Sequence, residues 1–344
     1  MRDAQKFQNE LIEFEKALKS AKRVLITAPG AADGDSIGAQ LALRRMLRNK
    51  YSCEIYIIND EELPLRYQFL PDAEHSLTPE KYAATGKSSQ FDLGIIVDGG
   101  IDRAGRVKAM YDQCPTKVFI DHHAVSCDYP YTIKMVEPDA SATTELVYYI
   151  SQTKGFEYPV DTAFAQHIYL GLIFDTGFFR HANTTPEVME LAAKLLRSDF
   201  DFTRVGERGM LERTYGSLKL LAATLEKAEL KHRGKIIVSS LSQKMLREFE
   251  ADEDDREGIV DHLFLTRGIQ VAVLLFELKD GSTKISFRSQ GCLDVAKIAR
   301  SMTIRGGGHT KAAGALFEEP MQIVQEKVLI KLGEEIERLT QEAK

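Results

Sequence analysis

Val118-Phe119-Ile120-Asp121-His122-His123 is the stretch on which the reading of this chain turns. The apolar, β-rich run predicts a buried strand, and the acid and two histidines that follow it directly are then delivered at the strand's end. Three other places share the design. Val24-Leu25-Ile26-Thr27 leads through a short Gly/Pro/Ala loop to Asp33-Gly34-Asp35, Ile95-Ile96-Val97 runs directly into Asp98, and Leu172-Ile173-Phe174 runs into Asp175-Thr176-Gly177. The end of a rigid element can hold a side chain over a crevice. Carboxylate mixed with imidazole suits a first-row divalent ion better than calcium or structural zinc. Asp-Gly-Asp alone is an ordinary turn, but four such places along about 150 residues predict a hydrolytic centre with two metal ions.

Each residue then has an expected part. Asp33 and Asp35 lie in a turn that leads into a helix, so both carboxylates can face one cavity, with Gly34 and Gly38 allowing the turn and close helix packing. Two ions about 3.5–4 Å apart need a shared carboxylate to offset their repulsion, and Asp98, ending a central strand, is the candidate. His122 offers a neutral ring nitrogen as ligand, with Asp121 fixing its orientation. His123, pointing elsewhere, is expected to reach a substrate phosphate as donor or general acid. Gly306-Gly307-Gly308-His309 is expected to form a loop whose backbone N–H groups and imidazole cradle a phosphate or terminal nucleotide. Arg288-Ser289 adds the fixed positive charge a phosphate needs. His75, His167, His181, His232 and His262 are expected to be structural.

At 344 residues the chain has room for about two domains. Its 45 basic and 51 acidic residues give a net charge of −6, which suggests no long polyanion-binding groove, so any nucleic-acid substrate is expected to be short and gripped locally. Cys53, Cys114, Cys127 and Cys292 show neither a C-x-x-C pair nor disulfide-like spacing, the usage of a reducing compartment. Phe7, Leu11, Phe14 and Leu18 recur at helical spacing in a charged opening segment unlike a signal peptide, and no run approaches a membrane span. A cytoplasmic protein without membrane attachment is expected.

The first half alternates strand-like runs (24–27, 55–58, 93–97, 117–120) with amphipathic helices such as 37–48 and 142–150, predicting a parallel sheet covered by helices. From Pro186 to about Lys231 the pattern is helical without a strand signal. A strand from Lys235 opens a second α/β region in the order β-α-β-β-α-β-α, predicting a mixed sheet backed by helices. The expected domains are 1–190, a helical connector 191–231, and 232–344.

With these residues in view, the chain resembles the DHH/DHH-associated-domain phosphoesterases, closest to the bacterial nano-RNase and pAp-phosphatase subfamily. The resemblance rests on Asp33-Gly34-Asp35-Ser36-Ile37-Gly38, Val97-Asp98, Asp121-His122-His123, Ser141-Ala142-Thr143-Thr144-Glu145, Asp175-Thr176-Gly177-Phe178-Phe179-Arg180, and Phe287-Arg288-Ser289 through Gly306-Gly307-Gly308-His309. It implies two Mn2+ ions in the first domain and a substrate site in the interdomain cleft. Asp35, Asp98, His122 and Asp175 would hold one ion, and Asp33 and Asp98 the other. Arg180, Arg288, Ser289, the three glycines and His309 would bind substrate. One position departs from the family pattern: where a metal-ligating histidine is usual, four residues before Asp33, stands Pro29, within Ala28-Pro29-Gly30-Ala31-Ala32. The implied activity is hydrolysis of short oligoribonucleotides from an end, with 3′-phosphoadenosine 5′-phosphate as a further substrate. A cyclic- or linear-dinucleotide phosphodiesterase would use the same machinery. A catalytically weakened nucleotide-binding regulatory protein is the alternative of another class that Pro29 allows. The expected partners are short single-stranded RNA or dinucleotides, and a homodimer is compatible with the sequence.

Overall fold

Short apolar runs pair side by side to make the first sheet. The computed structural model describes residues 4–30, 32–123 and 128–342, so Ala31 and Cys127 lie outside the described residues. Strands β1 (Arg23–Thr27), β2 (Glu54–Ile58), β3 (Ser76–Leu77), β4 (Leu93–Val97), β5 (Thr116–Asp121) and β6 (Ile133–Val136) are arranged β3-β2-β1-β4-β5-β6. Every pairing is parallel. The four strands expected from sequence are present, each within a residue of its predicted ends, but β3 and β6 are additions. The first is too short to leave a periodic signal, and the second alternates buried and more exposed residues over only four positions.

Parallel strands require crossovers: α2 (Gly34–Lys50) joins β1 to β2, α3 (Pro79–Ala84) joins β3 to β4 and α4 (Lys108–Asp112) joins β4 to β5, while α1 (Gln8–Ser20) precedes β1 and α5 (Thr143–Ile150) and α6 (Thr162–Asp175) follow β6. Strand alternation splits the core in two. Val24, Ile26, Ile55, Ile57, Ile95, Val97, Val118 and Ile120 pack with residues of α1, α2, α5 and α6. Leu25, Ile58, Ile96 and Phe119 pack on the other face with Tyr82, Val107 and Tyr111. The strand order reverses between β1 and β4, and ligands of open α/β sheets bind beyond the strand ends at that point.

The chain divides into two compact units between Glu212 and Arg213. That division falls inside 191–231, the stretch expected as a connector. Helices α7 (Pro186–Leu196) and α8 (Phe202–Gly206) and a π-helical turn (Glu207–Leu211) belong to the first unit, and α9 (Tyr215–Glu226) to the second. A strand, β7 (Glu229–Lys231), also lies where none was expected.

The second unit adds β8 (Ile236–Leu241), α10 (Gln243–Glu248), α11 (Ile259–Phe264), β9 (Val271–Glu277), β10 (Thr283–Ser289), α12 (Val295–Met302), β11 (Gly306–His309), β12 (Ala312–Phe317) and α13 (Met321–Glu342). Its sheet runs β11-β12-β10-β9-β8-β7, with only β8 and β9 parallel. Val271, Val273 and Leu275 face α12 and α13, while Ala272, Leu274 and Phe276 face α9, α10 and α11. The glycine triplet is therefore an edge strand and not the loop expected. Its glycines are explained by crowding: a Cβ on Gly306 would lie 2.2 Å from the Ala299 carbonyl oxygen, and Gly308 has φ +126° against Ala312 and Ala313. Gly307 alone faces open space.

Helices α2 and α6 cross closely. A Cβ on Gly38 would meet the His167 carbonyl oxygen at 2.4 Å. In an open helix alanine is better than glycine by about 1 kcal/mol, but overpacking against backbone costs about 1–3 kcal/mol. Gly38→Ala is therefore expected to lower the urea unfolding midpoint; a raised midpoint would mean that the crossing is looser than described.

Candidate metal centre

The first turn of α2 places two of the acids. Asp33 is in extended backbone and caps the helix, its Oδ1 accepting from the amides of Asp35 and Ser36 at 3.0 Å each. The cap turns Asp35 inward, where it is fully buried. Its Oδ2 accepts from the Thr143 amide at 2.6 Å, and its Oδ1 from the Thr144 amide at 2.9 Å and the Thr144 hydroxyl at 2.7 Å. The N-terminus of α5 is thus aimed at this carboxylate, where helix amides and dipole favour negative charge. Gly171 of α6 closes the space: a Cβ there would lie 2.2 Å from Thr144 Oγ1 and 2.3 Å from Asp35 Oδ1.

Asp98 follows β4 with φ +61°, a backbone conformation that costs a non-glycine residue about 1 kcal/mol or more. Its amide donates to Ile120 of the neighbouring strand at 3.0 Å, holding the turn. Oδ2 accepts from the Ser36 hydroxyl at 2.5 Å and Oδ1 from the Thr143 hydroxyl at 3.1 Å. Asp175, the last residue of α6, brings Oδ2 to 3.0 Å from His122 Nε2. A strained turn follows it: Gly177, Phe178 and Phe179 all have positive φ, and His181 and Asn183 approach the Asp175 carbonyl at 3.1 and 3.2 Å.

His122 Nδ1 lies 3.2 Å from the Ala140 carbonyl oxygen, an acceptor, so Nδ1 is the donor and Nε2 is turned toward Asp98 and Asp175. Asp121 was expected to orient His122, but it bonds the other histidine. Its Oδ1 accepts from the His123 amide at 3.1 Å and pairs with His123 Nδ1 at 2.7 Å. The reason is local: with Asp121 ending β5, the two-residue return to the His123 amide closes a small turn that carries the His123 ring back over the carboxylate. His123 is half-buried, and its ring meets that of His122 edge to face at 4.6 Å.

Ligand atoms of Asp35, Asp98 and His122 come within 4.8 Å of one another, and so do those of Asp98, Asp121 and His123. Asp98 belongs to both groups. Burial and then Asp175 push the Asp35 pKa up. Burial, Asp35, Asp33 and Asp175 raise that of Asp98 well above the carboxylate range. For His122 burial lowers the pKa, but Asp175, Asp35 and Asp98 together raise it well above the imidazole value. Buried acids that repel one another around an imidazole leave a deficit of positive charge, and a divalent cation is the group whose charge and donor preference fit it.

The ligand expected from the family has no counterpart at Pro29. The amides on either side are fixed, Ala28 donating to Asn59 Oδ1 at 3.2 Å and Gly30 to the Arg103 carbonyl at 2.7 Å. The proline ring is buried against Gly99, next to Asp98: a Cβ on Gly99 would meet Pro29 Cγ at 2.7 Å. The ring places hydrocarbon, with no nitrogen donor, beside the residue that follows Asp98.

In the second unit, Arg288 and His309 both stand opposite Ala312, in β10 and β11 on either side of β12. Directly opposed residues share a face, so the two side chains lie at one level, two strand spacings or about 10 Å apart. Arg288 Nε donates to Asp261 at 2.6 Å. Ser289 points to the opposite face, buried, its hydroxyl donating to the Leu293 carbonyl at 2.9 Å, behind the surface where a substrate contact was expected. Arg180 is exposed, its Nε donating to the Gly177 carbonyl at 2.7 Å. Thr143, Thr144, Ser36 and Gly171 are the positions that reasoning about ligand types alone passes over. The first three lie within quoted motifs, whereas Gly171 gave no signal.

A doubly wound parallel sheet with acids and histidines gathered at its reversal point, joined to a smaller mixed-sheet unit, defines a two-unit α/β protein whose clustered acids and histidines could hold a metal. Residues 23–172 match the DHH family N-terminal domain and residues 233–342 the DHHA1 domain, so the chain is built of a DHH domain followed by a DHHA1 domain. It is 29% identical to the bifunctional oligoribonuclease and PAP phosphatase NrnA of Thermus thermophilus, over 89% of this chain and 88% of that one. With the protein of the same name from Bacillus subtilis it shares 25% identity over 82% and 85%. Among solved structures, an exopolyphosphatase-related protein from Bacteroides fragilis has a TM-score of 0.85 at 23% identity, covering 96% of this chain and 98% of that one. RecJ of T. thermophilus in complex with Mn2+ has a TM-score of 0.58 at 18% identity, covering 96% and 55%. Both share the fold.

Thr144→Val removes a hydroxyl from Asp35 and keeps the shape. Loss of a bond that orients a ligand weakens metal binding by roughly tenfold or more, so direct titration with Mn2+ should show that loss; unchanged affinity would place Asp35 outside the coordination sphere. Pro29→His, with its flanking amides fixed, is expected to raise the number of tightly held ions per chain, measured by metal analysis after dialysis. Two tightly held ions in the unaltered protein, with no response to the substitution, would show that other residues already complete the second site.

Proposed function

We propose that this protein is a metal-dependent phosphoesterase that hydrolyses short oligoribonucleotides from an end and removes a phosphate from 3′-phosphoadenosine 5′-phosphate. The carrying observation is the buried group Asp35, Asp98 and His122 at the point where strand order reverses, with Asp175 against it. The names of the relatives matched over most of the chain support the substrate class. Asp35, Asp98, His122 and Asp175 would hold a divalent ion, Mn2+ in our reading, with Asp33 and Asp98 the remaining candidates for a second. Such ions supply Lewis-acid stabilisation of charge on phosphate oxygens and lower the pKa of bound water.

The chain's own groups do the rest. With its Nδ1 paired to Asp121, the His123 imidazole would pass a proton to the leaving oxygen. The bond also fixes the ring, so the proton is delivered from a set position. Arg288 and His309, at one level of one sheet face, would take the phosphate and the end of a short strand, Arg288 exchanging part of its Asp261 pairing for substrate. Phosphate contacts of this kind position a nucleic acid without reading sequence. No helix among the described residues is long and apolar enough to cross a membrane.

Di- to pentaribonucleotides, cyclic dinucleotides and 3′-phosphoadenosine 5′-phosphate, each assayed with Mn2+ and with Mg2+, test the reading. Turnover of the short linear RNAs and the bisphosphate is expected. Turnover of cyclic dinucleotides alone would move the enzyme to the cyclic class, and metal binding without turnover of any would leave a regulatory nucleotide binder. Asp98→Ala should abolish hydrolysis and release metal while circular dichroism stays unchanged; near wild-type rates at saturating Mn2+ would remove Asp98 from the reaction.

A further inference from the structure

Helix α2 has a second charged site far from its first turn. Arg44, Arg45 and Arg48 line a cavity of about 240 Å3 together with Asn49, Asp72 and Tyr158. Arg44 is nine residues beyond Asp35, or about 14 Å along the axis at about 1.5 Å per residue, so this is not an extension of the acid cluster.

The three arginines are not equivalent. Arg45 is neutralised twice, by Asp72 at 2.7 Å and Asp161 at 3.0 Å. Arg44 is only 8% exposed, yet its recorded bond is from Nε to the Ile55 carbonyl at 3.4 Å, and among the described residues no carboxylate comes within 4 Å of it. Arg48 is exposed at the rim and likewise has no carboxylate within that distance among the described residues. Asp72, the one acid among the lining residues, is engaged by Arg45, and the Tyr158 hydroxyl by Asp161 at 2.6 Å. Burial and then the neighbouring Arg48 push the Arg44 pKa down, against the smaller opposing pull of Asp72 and Glu74. A desolvated guanidinium beside a second positive charge is unfavourable by itself and becomes favourable when an anion accepts from both.

We infer that this cavity binds a phosphate-class dianion, with Arg44 and Arg48 as its charged donors and the Asn49 side-chain amide beside them. Two guanidinium forks one helical turn apart offer donors in different planes. A tetrahedral oxyanion accepts from both, whereas a planar carboxylate matches one fork. The anion is either free phosphate or the phosphate of a mononucleotide.

Isothermal titration of the full, metal-loaded protein with sodium phosphate, adenosine 5′-monophosphate and adenosine, at matched ionic strength, tests this. Arg48→Gln changes an exposed position and leaves the fold intact; Arg44→Met removes the buried donor. Loss of one charge-assisted bond is expected to weaken phosphate binding roughly tenfold or more in each variant, with Mn2+ binding unchanged. Equal affinity for phosphate and the monophosphate identifies the free anion as ligand. Tighter binding of the monophosphate, with adenosine silent, identifies the nucleotide, and both outcomes support the site. Should Arg44→Met fail to fold, Arg48→Gln decides alone. Wild-type titration curves in Arg48→Gln, no phosphate binding above a chloride control, or adenosine binding as well as its monophosphate would each overturn the assignment.

Discussion

The bond between one buried carboxylate and one helix N-terminus organises the first unit. Asp35 accepts from two backbone amides and a hydroxyl of α5, and leaving such a group unpaired would cost several kcal/mol. The helices follow from that requirement. α5 must point its first turn at α2, and α6 must come close enough to enclose them, which is why Gly171 has no room for a side chain and Gly38 none against the His167 carbonyl. Packing density and electrostatics are one constraint here: the same glycine that lets α6 approach keeps water from competing for Asp35.

A second constraint is conformational. Asp98 at φ +61° and the consecutive Gly177, Phe178 and Phe179 at positive φ flank the centre on two sides. Such strain persists where surrounding bonds over-determine it. Around Asp98 those bonds are the Ile120 carbonyl, the Ser36 hydroxyl and the Thr143 hydroxyl; around Asp175 they are the Thr176 hydroxyl, His181 and Asn183. The acids are thus held in place before any cation arrives, so little ordering remains to be done on binding. Burial, which raises the pKa of Asp35 and Asp98, is a cost that a bound cation's charge would offset.

Much of this was legible in the sequence, for a specific reason. Val97-Asp98 and Ile120-Asp121 join an apolar strand directly to its polar end, so strand and site share one signal, and the parallel order then follows from the alternation with helices. Partner choice was not legible. Whether Asp121 bonds His122 or His123 depends on the turn after β5, and adjacency in sequence pointed to the wrong one. The glycine triplet misled because glycine marks loops and crowded strands alike; only the Ala299 carbonyl against Gly306 tells them apart. Strand β3, two residues long, has no periodicity to find, and β7 follows a helix closely enough to be absorbed into its pattern.

Pro29 shows how far one residue without a donor can reach in such a framework. Asn59 and Arg103 hold the amides on both sides of Pro29, and the wall that Pro29 makes is a buried ring against Gly99, without a nitrogen donor. Asp35, Asp98, His122 and Asp175 do not depend on that wall: their positions come from α5, β4, β5 and α6. Asp33 depends on it only as the cap of α2. The lack of a donor at Pro29 would therefore be felt on the Asp33 side of Asp98, where carboxylate without imidazole would favour hard, weakly held cations over tightly bound ones. An enzyme built this way would keep one well-ordered ion and draw on the surrounding concentration of metal for the other.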